Sequence, residues 1–265
     1  MEKKKFFDLD FMHGLNIISP IETGMAEWIR ENPKTPSYVW LRVKDFMPKA
    51  EVFTDGISPE DIIQGGLGDC YLLSALCALA ERPSIIERLF LSRKSNNEGI
   101  YGMWICDTGD WELITVDDYF LCGDSGPVYS KCNGDEFWVL LLEKVYAKIY
   151  GSYHAIESGF PEEAFRDLTG APAIRFMTDN AKDTFSFLTA MFKKNFVVTG
   201  CTENKNQGRN IANKYGIISS HAYTILSSVK TSTGVRLVKL RNPWGKLDRG
   251  EWTGKWHRND KIWTE

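Results

Sequence analysis

The chain has 265 residues, of which 43% are hydrophobic and 25% are charged, and its formal net charge is −3. These values exclude a wholly disordered chain, and the small negative charge argues against a nucleic-acid partner. No apolar run approaches the roughly 20 residues that cross a bilayer, so we expect no transmembrane segment. The basic start is followed by Asp8 and Asp10 before any long apolar stretch, so we also expect no signal peptide.

The spacing of the cysteines predicts free thiols rather than a metal knuckle. None of the six stands in a CxxC or CxxH pair, which argues against a zinc site or a redox pair. Without a signal peptide, a reducing cytoplasmic location is the simplest expectation. The six residues are Cys70, Cys77, Cys106, Cys122, Cys132 and Cys201.

The first half of the chain is predicted to be rich in helix. Residues 1–60 contain several turn signals and predict irregular structure. The run Cys70–Ala80 is apolar almost all round, which is typical of a buried helix, and a shorter helix is predicted at residues 84–91. Two strand-like runs, 101–106 and 111–116, flank an Asp-Thr-Gly-Asp turn and therefore predict a β-hairpin.

Further helices are predicted at residues 137–150 and 162–168, and the first contains a lone carboxylate, Glu143. Beyond Gly170 the pattern changes from helix-rich to strand-rich. We therefore expect an α+β protein with an entry segment (1–52), a helical part (53–170) and a β-rich part (171–265). The β-rich part is predicted to hold a helix at 183–193 and strands at 196–201, 222–228, 235–240 and 255–264.

The sequence Gln-Gly-Gly-Leu-Gly-Asp-Cys at residues 64–70 carries the strongest chemical signal. Its glycines permit a close backbone approach, and they lead directly into the buried helix that begins with Cys70. A helix N-terminus favours a thiolate, which predicts a lowered pKa for this thiol, and its free N–H groups can bind an oxyanion. Gln64 could supply a second oxyanion donor. A lone cysteine is more often a buried small hydrophobe, but the glycine loop and the helix start favour a nucleophile.

A cysteine nucleophile needs a base and usually an orienting group. His221 stands at the start of one predicted strand and Asn242 follows the next, so pairing of the two strands would bring these side chains together. An asparagine oxygen can fix the imidazole tautomer, and Trp244 could shield that bond from water. Taken alone, a strand-end histidine is more often structural, and turn chemistry would explain an Asn-Pro pair.

These residues stand in long motifs that resemble the protease core of the calpains, which are calcium-dependent intracellular cysteine proteases. The resemblance covers about residues 53–256, and its motifs are, in order, QGGLGDCYLLSAL, EFWVLLLEKVYAKIYGSY, EEAFRDLTG, SHAYTIL, RNPWG and EWTGKW. It implies a two-lobed, papain-like core with a helical N-terminal lobe and an antiparallel β C-terminal lobe. Such a core would cleave protein or peptide substrates through a thioester acyl-enzyme.

The resemblance also implies a role for each candidate residue. Cys70 would be the nucleophile, His221 the general base and later the acid, and Asn242 the orienting group. Gln64 would share the oxyanion hole with the backbone N–H of Cys70. Tyr71 is a departure, because the family usually has tryptophan at this position.

The family binds calcium within each lobe, and oxygen atoms are the ligands that this cation prefers. We expect the β-lobe site to be incomplete, because Arg258 occupies the next acidic position, although Asp260 is close. The implied ligands are Thr54 and Gly56 through carbonyls and Asp61 and Glu143 through carboxylates in the helical lobe, and Glu251 in the β lobe.

Two other functions stay open at the level of the sequence. The family pattern would place further strands beyond residue 265, so the main alternative is a truncated, catalytically weak relative that acts as a binding or regulatory module. Acyl transfer of the transglutaminase type keeps a Cys–His pair but would favour aspartate in place of Asn242. For the peptidase we also expect a cleft that is misaligned without calcium, with Cys70 and His221 beyond hydrogen-bond reach.

Overall fold

The computed structural model of the chain describes residues 5–18, 38–178, 181–203, 211–245 and 251–263. Helices are mixed with antiparallel strands along the chain, which confirms the predicted α+β class. Within these ranges no helix is long and apolar enough to cross a membrane. The helices are α1 (Leu15–Ile18), α2 (Val43–Phe46), α3 (Cys70–Ala80), α4 (Pro83–Leu89), α5 (Trp138–Tyr150), α6 (Pro161–Thr169) and α7 (Ala181–Lys193).

The strands form small antiparallel sheets. Strand β5 lies between β1 and β6, β9 lies between β8 and β10, and the pairs β2–β7 and β3–β4 stand apart from these sheets. The strands are β1 (Val39–Arg42), β2 (Ile62–Ile63), β3 (Ile100–Asp107), β4 (Asp110–Asp117), β5 (Tyr119–Gly123), β6 (Gly126–Pro127), β7 (Lys131–Cys132), β8 (Val198–Cys201), β9 (Ala222–Lys230) and β10 (Arg236–Arg241).

Most predicted elements lie within a few residues of their expected positions. The β3–β4 hairpin is confirmed, and its turn residues Thr108 and Gly109 have φ values of 49° and 103°, which suit a tight two-residue turn. The strand predicted at 255–264 is wrong over the described residues up to 263, which form turns. Asp260 accepts from the backbone N–H groups of Trp256 and Ile262, and such local bonds favour a turn over a strand.

Helices α3 and α5 form the centre of the apolar core. Every residue of α3 after Cys70 is buried, which confirms the predicted buried helix. Helix α5 is buried along most of its length, and its buried Lys144 pairs with the buried Asp117 of β4. Ala222 of β9 belongs to the same apolar cluster. The central strand of the β8–β9–β10 sheet therefore packs on the helix that begins with the candidate nucleophile.

Polar contacts also join the helical part to the β-rich part. The backbone N–H of Gln64 donates to the carbonyl of Pro243 at 2.8 Å. Arg241, at the end of β10, forms an ion pair with Glu60 at 3.2 Å. Glu60 is adjacent in sequence to Asp61, a predicted calcium ligand, and Arg241 is adjacent to Asn242, the predicted orienting residue. This ion pair therefore connects the predicted calcium site with the predicted catalytic site.

Candidate active site

The loop before α3 is held against residues 128–129. The N–H of Gly66 donates to the carbonyl of Val128 at 2.8 Å. A Cβ atom on Gly65 would lie 1.7 Å from the carbonyl oxygen of Tyr129, which is closer than any side chain can approach. The close backbone approach that the glycines predict is therefore present at Gly65. The loop delivers Cys70 as the first residue of α3.

Strand pairing brings the candidate base and its orienter together. Strands β9 and β10 are antiparallel, with Thr224 opposite Arg241. His221 comes directly before β9 and Asn242 directly after β10, so their side chains meet at the same end of the sheet. His221 Nε2 and Asn242 Oδ1 lie 2.7 Å apart. The Trp244 ring lies 4.9 Å from the imidazole, centroid to centroid, as expected for a shielding residue.

The contacts of Asn242 determine which nitrogen of His221 carries the proton. The backbone N–H of Trp244 donates to Asn242 Oδ1 at 3.1 Å, and a backbone N–H can only donate, so this atom is the amide oxygen. His221 Nε2 therefore donates to it, which leaves the lone pair of the neutral ring on Nδ1. Nδ1 is buried and has no hydrogen-bond partner within the described part of the chain. It is a nitrogen with the chemistry of a general base.

The sulfur of Cys70 lies against the strand that follows this histidine. Burial is the largest effect on the pKa of the Cys70 thiol and raises it, whereas the nearby backbone N–H of Ala222 lowers it by less. The charge of the adjacent Asp69 raises it further. The prediction of a lowered thiol pKa is therefore wrong for this structure, because lost solvation outweighs the helix terminus. Burial likewise lowers the pKa of His221, so both groups favour their neutral forms.

Gln64 is buried beside the nucleophile, and its side-chain amide is engaged by the loop itself. Nε2 donates to the carbonyl of Leu67 at 2.7 Å and lies 3.4 Å from Asp69 Oδ1. The first bond is short and fixes the amide, whereas the second is at the limit for a hydrogen bond. One N–H of Gln64 is thus weakly held by Asp69, the residue before Cys70.

A buried pair of carboxyl groups behind the nucleophile was not predicted from the sequence. Asp69 lies beside Glu143, which accepts from the N–H of Ser130 at 3.0 Å and from its hydroxyl at 2.8 Å. Burial raises the pKa of Asp69 to about 7 and raises that of Glu143 well above its usual range. Two carboxyl groups in such contact share a proton.

Asp69→Asn is expected to change how stability depends on pH. A buried acid with a raised pKa favours its protonated form when folded, so the folded protein binds more protons than the unfolded chain between about pH 4 and pH 7. The wild type therefore loses stability as pH rises through this window. Asp69→Asn removes that loss. In urea unfolding, the free energy of unfolding of the variant minus that of the wild type should therefore increase by roughly 1–3 kcal/mol from pH 4 to pH 8.

The exposed Asp124, in the turn after β5, offers a matched control. Asp124→Asn removes a carboxyl group at the surface and is the reference against which the pH dependence of Asp69→Asn is compared. If Asp69→Asn behaves in the same way as this control, the buried pair does not share a proton.

The structure pairs Asp61 with Glu136 rather than with Glu143. In the β2–β7 pair Ile62 lies opposite Cys132, and the N–H of Asn133 donates to the carbonyl of Asp61 at 2.9 Å. Asp61 therefore lies beside the start of α5, where its carboxylate contacts that of Glu136. The assignment of Glu143 to this site is corrected accordingly. A signal for Glu136 existed in the sequence, because it is the acid directly before the buried helix.

The other predicted ligands are distributed as follows. The N–H of Thr54 donates to Glu136 Oε2 at 3.2 Å, and Gly56 follows in a left-handed conformation with φ +98°. Burial raises the pKa of Glu136 to about 8, and the charge of Asp61 adds to this. Glu251 is exposed. Among the described residues, no three His, Cys, Asp or Glu side chains are grouped so that they could hold a metal ion.

Comparison with known proteins gives the family. A family model described as "Calpain family cysteine protease" matches residues 10–265. The chain is 33% identical over 241 residues to a calpain-type cysteine protease, ADL1, of Oryza sativa subsp. japonica, which covers 85% of this chain and 11% of that relative. It is 31% identical over 252 residues to the calpain-1 catalytic subunit of Rattus norvegicus, which covers 91% of this chain and 35% of that relative.

The chain thus spans about a tenth to a third of the length of these curated relatives. The match nevertheless extends over nearly the whole of the present sequence and includes the loop, helices and strands that carry the candidate site. The chain therefore belongs to the calpain family of cysteine proteases.

Proposed function

We propose that this chain is a calcium-dependent cysteine endopeptidase core, two-lobed and papain-like, that hydrolyses peptide bonds in protein substrates. The observation that carries the proposal is the arrangement around His221. Its Nε2 donates to Asn242, its Nδ1 is unpartnered among the described residues, and the next residue, Ala222, lies near the Cys70 thiol. This arrangement supports a site in which a base, its orienter and a nucleophile act together.

In the proposed reaction His221 Nδ1 takes the proton of the Cys70 thiol as the sulfur attacks the substrate carbonyl. The imidazolium that forms is stabilised by Asn242 and shielded by Trp244. His221 then gives the proton to the leaving amine, and a thioester remains on Cys70. Water, deprotonated by the same nitrogen, hydrolyses that thioester and restores the thiol.

The oxyanion would be bound by the backbone N–H of Cys70 and by Gln64. The bond of Gln64 to Leu67, at 2.7 Å, holds the amide in place. The contact with Asp69, at 3.4 Å, is the one that the oxyanion would replace. The pKa of Asp69 is raised to about 7, so its carboxyl group is readily protonated. A protonated carboxyl group is a weaker acceptor than a carboxylate, so the Gln64 N–H can leave Asp69 for the oxyanion more easily.

The residues around Asp61 fit a calcium ion. Asp61 and Glu136 supply carboxylate oxygens, the ligands of a hard cation, and a cation would relieve the burial of two acids in contact. Thr54 and Gly56 stay as proposed carbonyl ligands from the adjoining loop. Calcium would fix that loop against the start of α5. In the β-rich part, Glu251 stays a proposed ligand of a second site that we expect to be incomplete.

A cytoplasmic location also stays part of this proposal. All six cysteines are free in the structure, and free thiols persist in a reducing compartment. The alternative of acyl transfer, which favours an aspartate as the orienting group, gains no support from the asparagine at position 242.

Alkylation of the thiols tests the proposal directly. We expect iodoacetamide to label Cys70 before the buried Cys77 and Cys122, and faster with calcium than with a chelator, because Cys70 has a base nearby whereas burial raises the pKa values of Cys77 and Cys122 to about 11. Peptide mass mapping would identify the labelled residue. Equal labelling of all accessible thiols, with or without calcium, would favour a binding module over an enzyme.

A further inference from the structure

Thr224 joins the strand that follows the histidine to the helix that begins with the cysteine. Its hydroxyl donates to the backbone carbonyl of Ser74 at 2.6 Å, between residues 150 positions apart in the sequence. Both residues are buried, Thr224 with 1% exposure. A carbonyl within a helix already accepts from the N–H four residues on, so a second donor at this distance is a specific added contact.

The two partners are both fixed within regular structure. Thr224 lies on the central strand of its sheet, opposite Thr199 on β8 and Arg241 on β10, so β9 is held on both sides at this point. Ser74 lies inside α3. A hydrogen bond between two such rigid elements determines how the elements sit relative to each other.

The bond lies close to the reacting groups. Cys70 is four residues before Ser74, or about 6 Å along the helix. His221 is three residues before Thr224, or about 10 Å along the strand. Ala222, on the same face of β9 as Thr224, packs in the core beside α3, but such apolar contact is not directional and permits sliding. The hydroxyl contributes the directional contact that apolar packing lacks.

We infer that Thr224 is a positioning residue whose hydrogen bond to Ser74 sets the separation between the Cys70 sulfur and the His221 imidazole. The inference rests on the proposed peptidase function. A displacement of about 1 Å between reacting groups can cost on the order of 100-fold in rate. Loss of the bond should therefore affect the chemical step more than substrate binding.

The test compares Thr224→Val and Thr224→Ser in the full chain, with calcium present. Valine keeps the β-branched shape and removes the donor, so we expect kcat to fall about 10- to 100-fold while KM changes less than about twofold. Serine keeps the hydroxyl and should restore kcat to within about threefold of the wild type. Thr189→Val is the matched control, because its hydroxyl donates to the helix carbonyl of Phe185 at 2.8 Å and lies 3.1 Å from the Ser228 hydroxyl of β9, both within the β-rich part, and its loss should leave kcat unchanged.

A second readout is the rate at which Cys70 is alkylated at pH 6, which should fall in Thr224→Val toward the rate of His221→Ala. Circular dichroism would show that the variants are folded, and Thr224→Ala removes the same donor if valine does not fold. Any of three results would overturn the inference. Folded Thr224→Val could keep the kcat and the alkylation rate of the wild type, it could change KM alone, or Thr224→Ser could fail to restore kcat. If the wild type shows no activity that Cys70→Ala removes, the proposed function fails instead, and the alkylation rates still judge the role of Thr224.

Discussion

Cys70→Ala is expected to abolish hydrolysis of an unstructured protein such as casein, with a loss of at least about 10⁴-fold in kcat. The reason is that no acyl-enzyme can form without the sulfur, and the remaining oxyanion donors have no attacking atom to assist. Release of acid-soluble peptides in calcium-containing buffer measures the effect. Equal cleavage by the variant and the wild type would remove Cys70 from the mechanism.

Two further variants sharpen this experiment. Cys122→Ala deletes another buried thiol, on β5, and should keep activity. His221→Ala should lose about as much as Cys70→Ala, and the double variant should lose little more, because a nucleophile and its base act as one unit. Losses that multiply in the double variant would indicate two independent contributions and would contradict the pairing proposed for these residues.

The double variant Asp61→Asn, Glu136→Gln is expected to weaken calcium binding by on the order of 100-fold or more, because both carboxylate charges of the proposed site are removed. Calorimetric titration with calcium chloride measures the affinity. Proteolysis should become insensitive to calcium in the same variant. The ion pair between Glu60 and Arg241, which stand beside Asp61 and Asn242, gives a physical route for that effect.

Glu143→Gln is the matched comparison. It replaces a buried carboxyl group within α5, the helix that Glu136 precedes, but Glu143 contacts Ser130 and lies beside Asp69 rather than Asp61. Calcium affinity should therefore be retained. If Glu143→Gln loses binding and the Asp61, Glu136 double variant keeps it, the ligand set implied by the sequence resemblance is right and the one read from the structure is wrong.

Structural features that depend on residues close together in the sequence could be predicted from the sequence. The apolar run Cys70–Ala80 is buried because it has no polar face, and the turn at Thr108 and Gly109 forms a hairpin in which Gly109 accepts a positive φ value without steric cost. The meeting of His221 with Asn242 also followed, because an antiparallel pair joined by a short turn brings its outer ends together. The failed strand at 255–264 shows the limit, since Asp260 captures backbone donors there.

The sequence by itself therefore determined the α+β class, most elements and the candidate set Gln64, Cys70, His221 and Asn242. Tertiary structure decided which of the two acids, Glu136 or Glu143, stands beside Asp61. The β2–β7 register places Asp61 near the start of α5, next to Glu136, whereas Glu143 lies five residues, or about 8 Å, beyond the first residue of that helix.

The burial of a single ionisable group and the contacts between distant parts of the chain are likewise not visible in a linear pattern. The raised pKa of Cys70 comes first from lost solvation, although its place at a helix start suggested the opposite direction. The bond from Thr224 to Ser74 joins residues 150 positions apart, and no local signal marks it. Secondary structure depends on short-range preferences, whereas ionisation and the spacing of reacting groups depend on which surfaces the folded chain brings together.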